Sequence, residues 1–354
     1  MRSRLESFLQ VGCFSVSEQL QLGDEQLPGY LAGRGIVPEG TPLTVEAAGD
    51  GNINWVRRAR ARDGRSWIVK QARPALERFP EYRAPTERIG FERRYFELAS
   101  KLPEAAICPK ILDFDECEHV LVMEDLGAAE RLDHALARGA EPTEVAAALG
   151  QFLGAVHGAT TDPALAAEFQ NEAMQRLHGD HIFELPLREN DFPLPPELRA
   201  EATRLREDAE LVRIADGLYT RYLEPHGALV HGDVQAGNIL LAEPGPKLLD
   251  AEIAHVGDPA FDLGMLVAHL RLPAVARGEP ARAAAAVAAA VGAYRERLAG
   301  ALTVSFSDAA RYAGIEMLRR TIGAARVAAV AEPAAARAVL RNAVAWLRDP
   351  PDAP

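Results

Sequence analysis

The 354-residue chain holds only three cysteines, Cys13, Cys108 and Cys117. So sparse and odd a set excludes a disulfide-stapled scaffold, offers no paired zinc pattern and fits a reducing compartment. Long apolar runs are also missing. The longest bland stretch, 283–291, is alanine-rich and far short of the ~20 residues a bilayer-spanning helix needs. Residues 1–13 carry Arg2, Arg4 and Glu6 without the apolar core of a secretory signal, so a cytoplasmic location is expected. Positive charge is in short supply: 39 Lys and Arg stand against 51 Asp and Glu, a net charge of −12. Such a chain lacks the basic footprint of a general nucleic-acid or anionic-membrane binder, though a local basic pocket can still hold a small anion. No G-x-x-x-x-G-K-[ST] stretch occurs, so a Walker loop is absent too. What is present, 48% hydrophobic and 25% charged residues, is the composition of a globular chain with ample surface to bury.

The first third reads as strands with one helix. Residues 43–47 and 53–60 are short β-rich runs around Gly49-Asp50-Gly51-Asn52, and 66–70 follows the Asp63-Gly64 turn signal. Residues 88–102 have helical spacing, with Ile89, Phe91, Tyr95, Phe96 and Leu98 apolar. Two more strands are expected at 107–114 and 119–123, joined by a turn at 115–118. After Leu126-Gly127 the texture becomes helical. Helices are expected at 143–157 with Thr143 as cap, at 196–222 as one long helix, at 308–330 and at 333–347. The alanine-rich stretch 281–293 is expected to be a solvated helix. A β island interrupts the helices at 229–230, 239–241 and 247–249, with a turn at 243–246. The organisation is a β-rich lobe over 1–126 and a larger, mainly helical lobe over 127–354. Ligands favour the cleft between two such lobes.

The strongest chemical signal is His231-Gly232-Asp233-Val234-Gln235-Ala236-Gly237-Asn238. An Asp followed five residues on by an Asn, just before a strand, is the spacing of a phosphoryl-transfer loop. There the Asp accepts the acceptor-hydroxyl proton and the Asn holds a magnesium ion. The base must come within ~3 Å of the hydroxyl, and Gly232 and Gly237 permit the close turns. Asp250-Ala251-Glu252 follows 17 residues after Asp233. Two carboxylates at i and i+2, leaving a strand, can both turn toward a hard cation. Alone, His-Gly-Asp is usually a turn and Asp-x-Glu usually solvated surface. Their order, with a hairpin between, carries the reading.

The stretch 231–266, HGDVQAGNILLAEPGPKLLDAEIAHVGDPAFDLGML, resembles the core of the aminoglycoside phosphotransferase-like kinases, a superfamily that includes choline kinases and methylthioribose kinases. The resemblance implies Asp233 as catalytic base and Asn238, Asp250 and Glu252 as metal ligands. It also implies Asp262 and His231 as braces of the catalytic loop. Upstream, Gly49, Asp50, Gly51 and Asn52 lie between strands, where glycines let backbone N–H groups approach phosphates. Alone that segment is an ordinary hairpin turn, and the third glycine of G-x-G-x-x-G is missing. Lys70 matches the strand lysine that reaches nucleotide phosphates, held by a helix acid, Glu92 first and Glu87 second. A surface salt bridge is the plain alternative for that pair. Met123-Glu124-Asp125-Leu126 is similar to the inter-lobe hinge, which implies adenine contacts from the backbone of Glu124 and Leu126, against the reading as plain linker. Glu316-Met317-Leu318-Arg319-Arg320-Thr321-Ile322-Gly323 resembles a methylthioribose-kinase patch whose arginine pair lies at the sugar and phosphate site. Arg319 and Arg320 match it, and a planar guanidinium suits phosphate oxygens. The alternative is a helical salt bridge from Glu316, worth ~0.3–0.5 kcal/mol. The chain departs from methylthioribose kinases in carrying Asn238 where Ser is usual, and Ala84-Pro85 where a Trp-Pro pair is expected.

The expectation is therefore an α+β, two-lobe, protein-kinase-like fold. It carries ATP- and magnesium-dependent transfer of the γ-phosphoryl group to a sugar hydroxyl, first 5-methylthioribose or a related 5-deoxypentose. Another sugar, an aminosugar or an aminoglycoside is the alternative acceptor. A nucleotide-binding pseudokinase is the rival from a different class, and a metal-dependent hydrolase is weaker for want of clustered histidines. The expected partners are ATP and the small hydroxylated acceptor, with no nucleic acid and no membrane, and a homodimer is the candidate assembly.

Overall fold

The computed structural model describes residues 19–49, 54–75 and 83–354. Helix α1 (Leu27–Gly33) precedes an antiparallel sheet of β1 (Leu43–Ala47), β2 (Asn54–Ala61), β3 (Ser66–Ala72), β4 (Ile111–Asp115) and β5 (Val120–Glu124), in the order β1-β2-β3-β5-β4. Side chains alternate across a strand, so β3 sends two sets in opposite directions. Trp67 and Val69 join Trp55, Val120 and Val122 under Leu27 and Leu31 of α1. Ile68 and Ala72 join Leu121, Met123 and Ile89 on the other side. Lys70 has the parity of Ile68 and Ala72, and so faces helix α2 (Arg88–Ala99). That helix buries Ile89, Glu92, Tyr95, Phe96 and Ala99 at helical spacing.

The rest is mostly helical. Strand β6 (Glu130–Arg131) and helices α3 (Leu132–Ala137) and α4 (Thr143–Ala159) come first, followed by α5 (Glu172–Gly179), which opens into a π-helical turn at Asp180–Glu184. Next come α6 (Pro196–Glu207) and α7 (Ala209–Leu223). Strands β7 (Ala228–Val230) and β10 (His255–Gly257) pair with each other, while β8 (Ile239–Leu241) and β9 (Pro246–Leu248) form a hairpin beside β6. Helices α8 (Pro259–Ala276), α9 (Ala284–Leu298), α10 (Phe306–Ile322) and α11 (Pro333–Arg348) complete the chain. Helix α8 is buried on nearly every side, as a central helix must be. Among the described residues no helix is long and apolar enough to cross a membrane.

Several expected elements differ. The helix expected over 196–222 breaks at Asp208, whose backbone is extended and whose side chain accepts from Leu211 N at 3.0 Å to cap α7. Thr143 is the first helical residue and does not cap; Pro142 holds the cap position. The expected 308–330 helix starts at Phe306, capped by Ser305 Oγ accepting from Asp308 N at 3.0 Å, and stops before Gly323. Ile107 lies in a 3-10 turn, so β4 begins only at Ile111. The alanine-rich helix is not solvated all round. It buries Ala286, Val287, Ala290, Val291 and Tyr294 against α4. A Cβ at Gly150 would lie 2.1 Å from Ala290 O, and one at Gly154 would lie 2.5 Å from Tyr294 O. Small residues here serve close helix approach. Strands β6 and β10 carried too few residues to be expected.

Candidate active site

The loop after β7 is fixed from below. Asp262, on the first turn of buried α8, accepts from His231 N at 2.7 Å and from Gly232 N at 3.0 Å. His157 Nε2 lies 3.2 Å from the same carboxylate, and its Nδ1 lies 3.0 Å from Tyr294 OH. Burial works to raise the Asp262 pKa, but the His157 contact and the backbone donor of His231 outweigh it and hold the carboxyl below its ordinary range. His231 itself faces the Tyr95 ring edge-on at 5.2 Å, and burial holds its imidazole below the ordinary histidine range. Gly232 sits at φ 85°, and a Cβ there would lie 2.7 Å from Ile253 O. Only glycine lets this loop press against the segment after β9.

Asp233 follows, 8% exposed. Its Oδ2 accepts from Gln235 Nε2 at 2.7 Å and from Asn238 Nδ2 at 2.8 Å. Its Oδ1 is buried without a hydrogen-bond partner, 3.7 Å from His178 Nε2. Burial raises the pKa of Asp233, and Arg320 and Arg319 pull the other way. Gln235 also accepts from Arg320 Nη2 at 2.7 Å. Arg319 and Arg320 both pair with buried Glu316, which His269 Nε2 also meets at 3.1 Å. The helical salt bridge considered for Glu316 thus exists, while Arg320 also reaches the Asp233 loop through Gln235.

A second cluster adjoins the first, since Leu249 N donates to Asn238 O at 2.8 Å. Lys70 Nζ donates to Glu92 Oε2 at 2.7 Å and to Asp250 Oδ1, with Glu252 Oε2 at 3.8 Å. Burial disfavours the ammonium, but Asp250, Glu92 and Glu252 outweigh it and keep Lys70 charged. Burial pushes Glu92 up to about 7 despite the opposing pull of Lys70. For Asp250 the balance reverses: Lys70 outweighs burial and holds the carboxyl low. Asp250 has φ 71°, a left-handed backbone uncommon for a non-glycine residue. One oxygen each from Glu92, Asp250 and Glu252 lies within 4.8 Å of the others. Glu252 Oε2 is also held by Arg88 Nε at 3.2 Å and Asn54 Nδ2 at 2.9 Å, and Arg88 is fully buried.

The structure thus brings together Lys70, Glu92, Asp233, Asn238, Asp250, Glu252, Arg319 and Arg320. Glu87 precedes α2, and it is Glu92 that pairs with Lys70. Glu124 ends β5; its N–H donates to Lys110 O at 3.0 Å and its carboxylate meets Lys247 at 3.2 Å. Leu126 is half-buried just beyond. Gly49 is exposed at φ 75°, while Asp50, Gly51 and Asn52 lie outside the described residues. Sequence reasoning passed over Arg88, Asn54, Gln235 and His178. Gln235 could have been found, lying two residues from Asp233. Arg88 and His178 sit on helices far away in sequence and carried no local signal.

The phosphotransferase enzyme family matches residues 44–301 of the chain. A methylthioribose kinase of Geobacillus sp. (strain WCH70) is 30% identical over 83% of this chain and 81% of its own length. One from Pectobacterium carotovorum subsp. carotovorum (strain PC1) is 30% identical over 88% of each chain. Among solved structures, a choline kinase from Cryptosporidium parvum Iowa II superposes with a TM-score of 0.53 at 11% identity, over 92% of this chain and 95% of that one. An aminoglycoside 2′-phosphotransferase-IIIa, solved as its GDP complex, gives a TM-score of 0.51 at 14% identity, over 93% and 98%. These two share the fold, a β-sheet lobe and a helical part arranged as in protein kinases. With a family match across most of its length and such relatives, the chain belongs to the phosphotransferase enzyme family and is a small-molecule kinase that phosphorylates a hydroxyl.

Proposed function

We propose that this kinase transfers the γ-phosphoryl group of ATP to a sugar hydroxyl, with 5-methylthioribose or a related 5-deoxypentose as the first candidate acceptor. The observation that carries the reading is the hydrogen-bonded Asp233 loop, joined to the Lys70–Glu92–Asp250–Glu252 cluster by one backbone bond between Leu249 and Asn238. Asp233 is the base: it takes the hydroxyl proton as the acceptor oxygen bonds to phosphorus and the bond to ADP breaks. Gln235 and Asn238 fix the carboxylate. Lys70, set by Glu92, reaches the phosphates, together with the loop of Gly49, Asp50, Gly51 and Asn52. The backbone of Glu124 and Leu126 receives adenine, residues 1–126 forming the nucleotide lobe and 127–354 the catalytic and acceptor lobe. Catalysis then rests on positioning and charge neutralisation.

The donor set near Asp250 suits a hard cation, because every available group is an oxygen. Asn238 spends its amide donors on Asp233, which leaves its oxygen for a cation. Asn238, Asp250 and Glu252 would hold magnesium, which when bound neutralises phosphate charge. Glu252 enters that role already tied to Arg88 and Asn54.

The acceptor side favours an uncharged molecule. Asp233 and Glu316 offset Arg319 and Arg320, and burial keeps His178 and His181 below the ordinary histidine range. A polycationic aminoglycoside would call for surplus negative charge, and the sugar reading needs none. On this reading Arg319 and Arg320 steady the acceptor, with part of their charge committed to Glu316. The relatives named methylthioribose kinase support the same acceptor. The test is ADP release with magnesium and ATP over 5-methylthioribose, 5-deoxyribose, ribose, glucosamine and kanamycin. A response to methylthioribose or deoxyribose is expected; a response to kanamycin alone overturns the acceptor assignment.

A further inference from the structure

The carboxylate of Asp233 is supported on one side only. Oδ2 accepts two N–H donors from its own loop, while Oδ1 is buried and unpartnered. A buried carboxylate oxygen without a donor is costly, so what faces it matters. His178, on α5, faces it with Nε2 at 3.7 Å. That is too long for a hydrogen bond, but catalytic hydrogen bonds are often long before reactants fill a site and tighten afterwards.

Three features hold the imidazole there. A Cβ at Gly179 would lie 2.5 Å from the Tyr219 ring and 3.0 Å from the Tyr222 ring, so α5 is seated directly on α7. The helix then widens into the π turn Asp180–Glu184, a distortion that recurs at functional sites. Phe261, one residue before the brace Asp262, presents its ring edge-on to His178 at 6.4 Å and 89°. Burial first, and then the charge of Arg319, keeps the imidazole neutral, with Glu316 opposing and Arg320 and His181 adding to the effect. A neutral ring has one N–H to give.

We propose that His178 is a positioning residue for phosphoryl transfer: its Nε2–H donates to Asp233 Oδ1 and fixes the carboxylate so that the remaining lone pair of Oδ1, the oxygen its own loop leaves free, meets the acceptor hydroxyl. The inference rests on Asp233 being the base. Nothing in the loop itself supplies this second donor, so the base is aligned by two separate elements, the β7–β8 loop and α5. This tethers the catalytic geometry to α5.

Two variants and one spectrum test it. His178→Leu keeps the bulk and removes the donor. His178→Gln places an amide N–H near the Nε2 position. The expected result is a kcat loss of about 10- to 100-fold for Leu, with KM for ATP within ~2-fold and most activity recovered by Gln. In an Asp233→Asn background, His178→Leu should add no further loss, since residues acting as one unit are not additive. Equal losses in Leu and Gln, or a full additional loss in the double variant, overturn the proposal. An inactive Asp233→Asn beside a normal His178→Leu sinks this inference and leaves the base assignment standing. An active Asp233→Asn sinks the base assignment itself. Independently of any acceptor, ¹⁵N-histidine spectra with magnesium and a non-hydrolysable ATP analogue should show the His178 proton on Nε2. A proton on Nδ1 with Nε2 bare contradicts the proposal.

Discussion

Replacing Asp262 by Asn removes one charge and changes one atom, yet the structure makes it a severe test of the loop's support. The native carboxylate takes two backbone donors, His231 N at 2.7 Å on Oδ2 and Gly232 N at 3.0 Å on Oδ1, while His157 Nε2 stands 3.2 Å from Oδ2. An amide offers one oxygen. If it serves His231, the amide N–H₂ group meets the Gly232 N–H at about the 3.0 Å of the native contact, donor against donor. One charge-assisted bond is lost and the survivors weaken. At about 1.5–3 kcal/mol for a lost bond to a charged group, with the surviving bonds weakened, the expected loss is about 2–4 kcal/mol. That leaves a folded protein, because domain stabilities are about 5–15 kcal/mol. It also frees the backbone immediately before Asp233, where a misplacement of ~1 Å costs about 10²-fold. Thermal melting should fall by several degrees. ADP release with 5-methylthioribose should fall about 10²-fold, and nucleotide affinity should stay within a few-fold. Turnover and melting both indistinguishable from the native enzyme would refute the claim that Asp262 holds the catalytic loop.

Gly154→Ala sets a Cβ 2.5 Å from Tyr294 O, backbone that cannot swing aside. A loss of about 1–3 kcal/mol is expected in denaturant unfolding, and an unchanged midpoint would show that α4 and α9 pack less tightly than the structure has them. Glu316→Gln strips the shared partner of Arg319 and Arg320, at a cost of about 3–5 kcal/mol at neutral pH. Burial alone would raise the Glu316 pKa, but Arg319 and Arg320 outweigh it, so the folded value lies well below 4.5. A lowered acid pKa gives stability that is complete above the unfolded value and is lost as pH falls through the folded one. The melting difference between native protein and variant should therefore be wide at pH 7 and narrow below about pH 4.5; a constant difference would contradict the ion pair.

Much of this was legible because chemistry and local geometry share short stretches of chain. His231 to Asn238 and Asp250 to Glu252 carry their own spacing, and the hairpin of β8 and β9 between them showed in its hydrophobic runs. Lys70 was findable by strand parity, and Glu92 because it lies one turn into α2 on the same side as Ile89. The supports were not legible. Arg88 reaches Glu252 across 164 residues, and His178 faces Asp233 from a helix whose placement depends on Tyr219 and Tyr222. Periodicity does not encode such pairings. The break at Asp208 was missed for a local reason: the polar residues around it continue a good helical pattern, and only the Asp208 side chain turning back to Leu211 N stops the first helix and starts the second. The alanine-rich helix was misjudged because composition reports helix propensity. Close packing depends instead on what Gly150 and Gly154 present across from it.

The central claim is that Asp233 takes the proton of the acceptor hydroxyl. Its most direct test is ADP release by native protein and Asp233→Asn, with magnesium, ATP and 5-methylthioribose, alongside a nucleotide-binding titration. The account predicts a fall in turnover of about 10²–10⁴-fold with nucleotide binding retained; turnover equal to that of the native protein would contradict it.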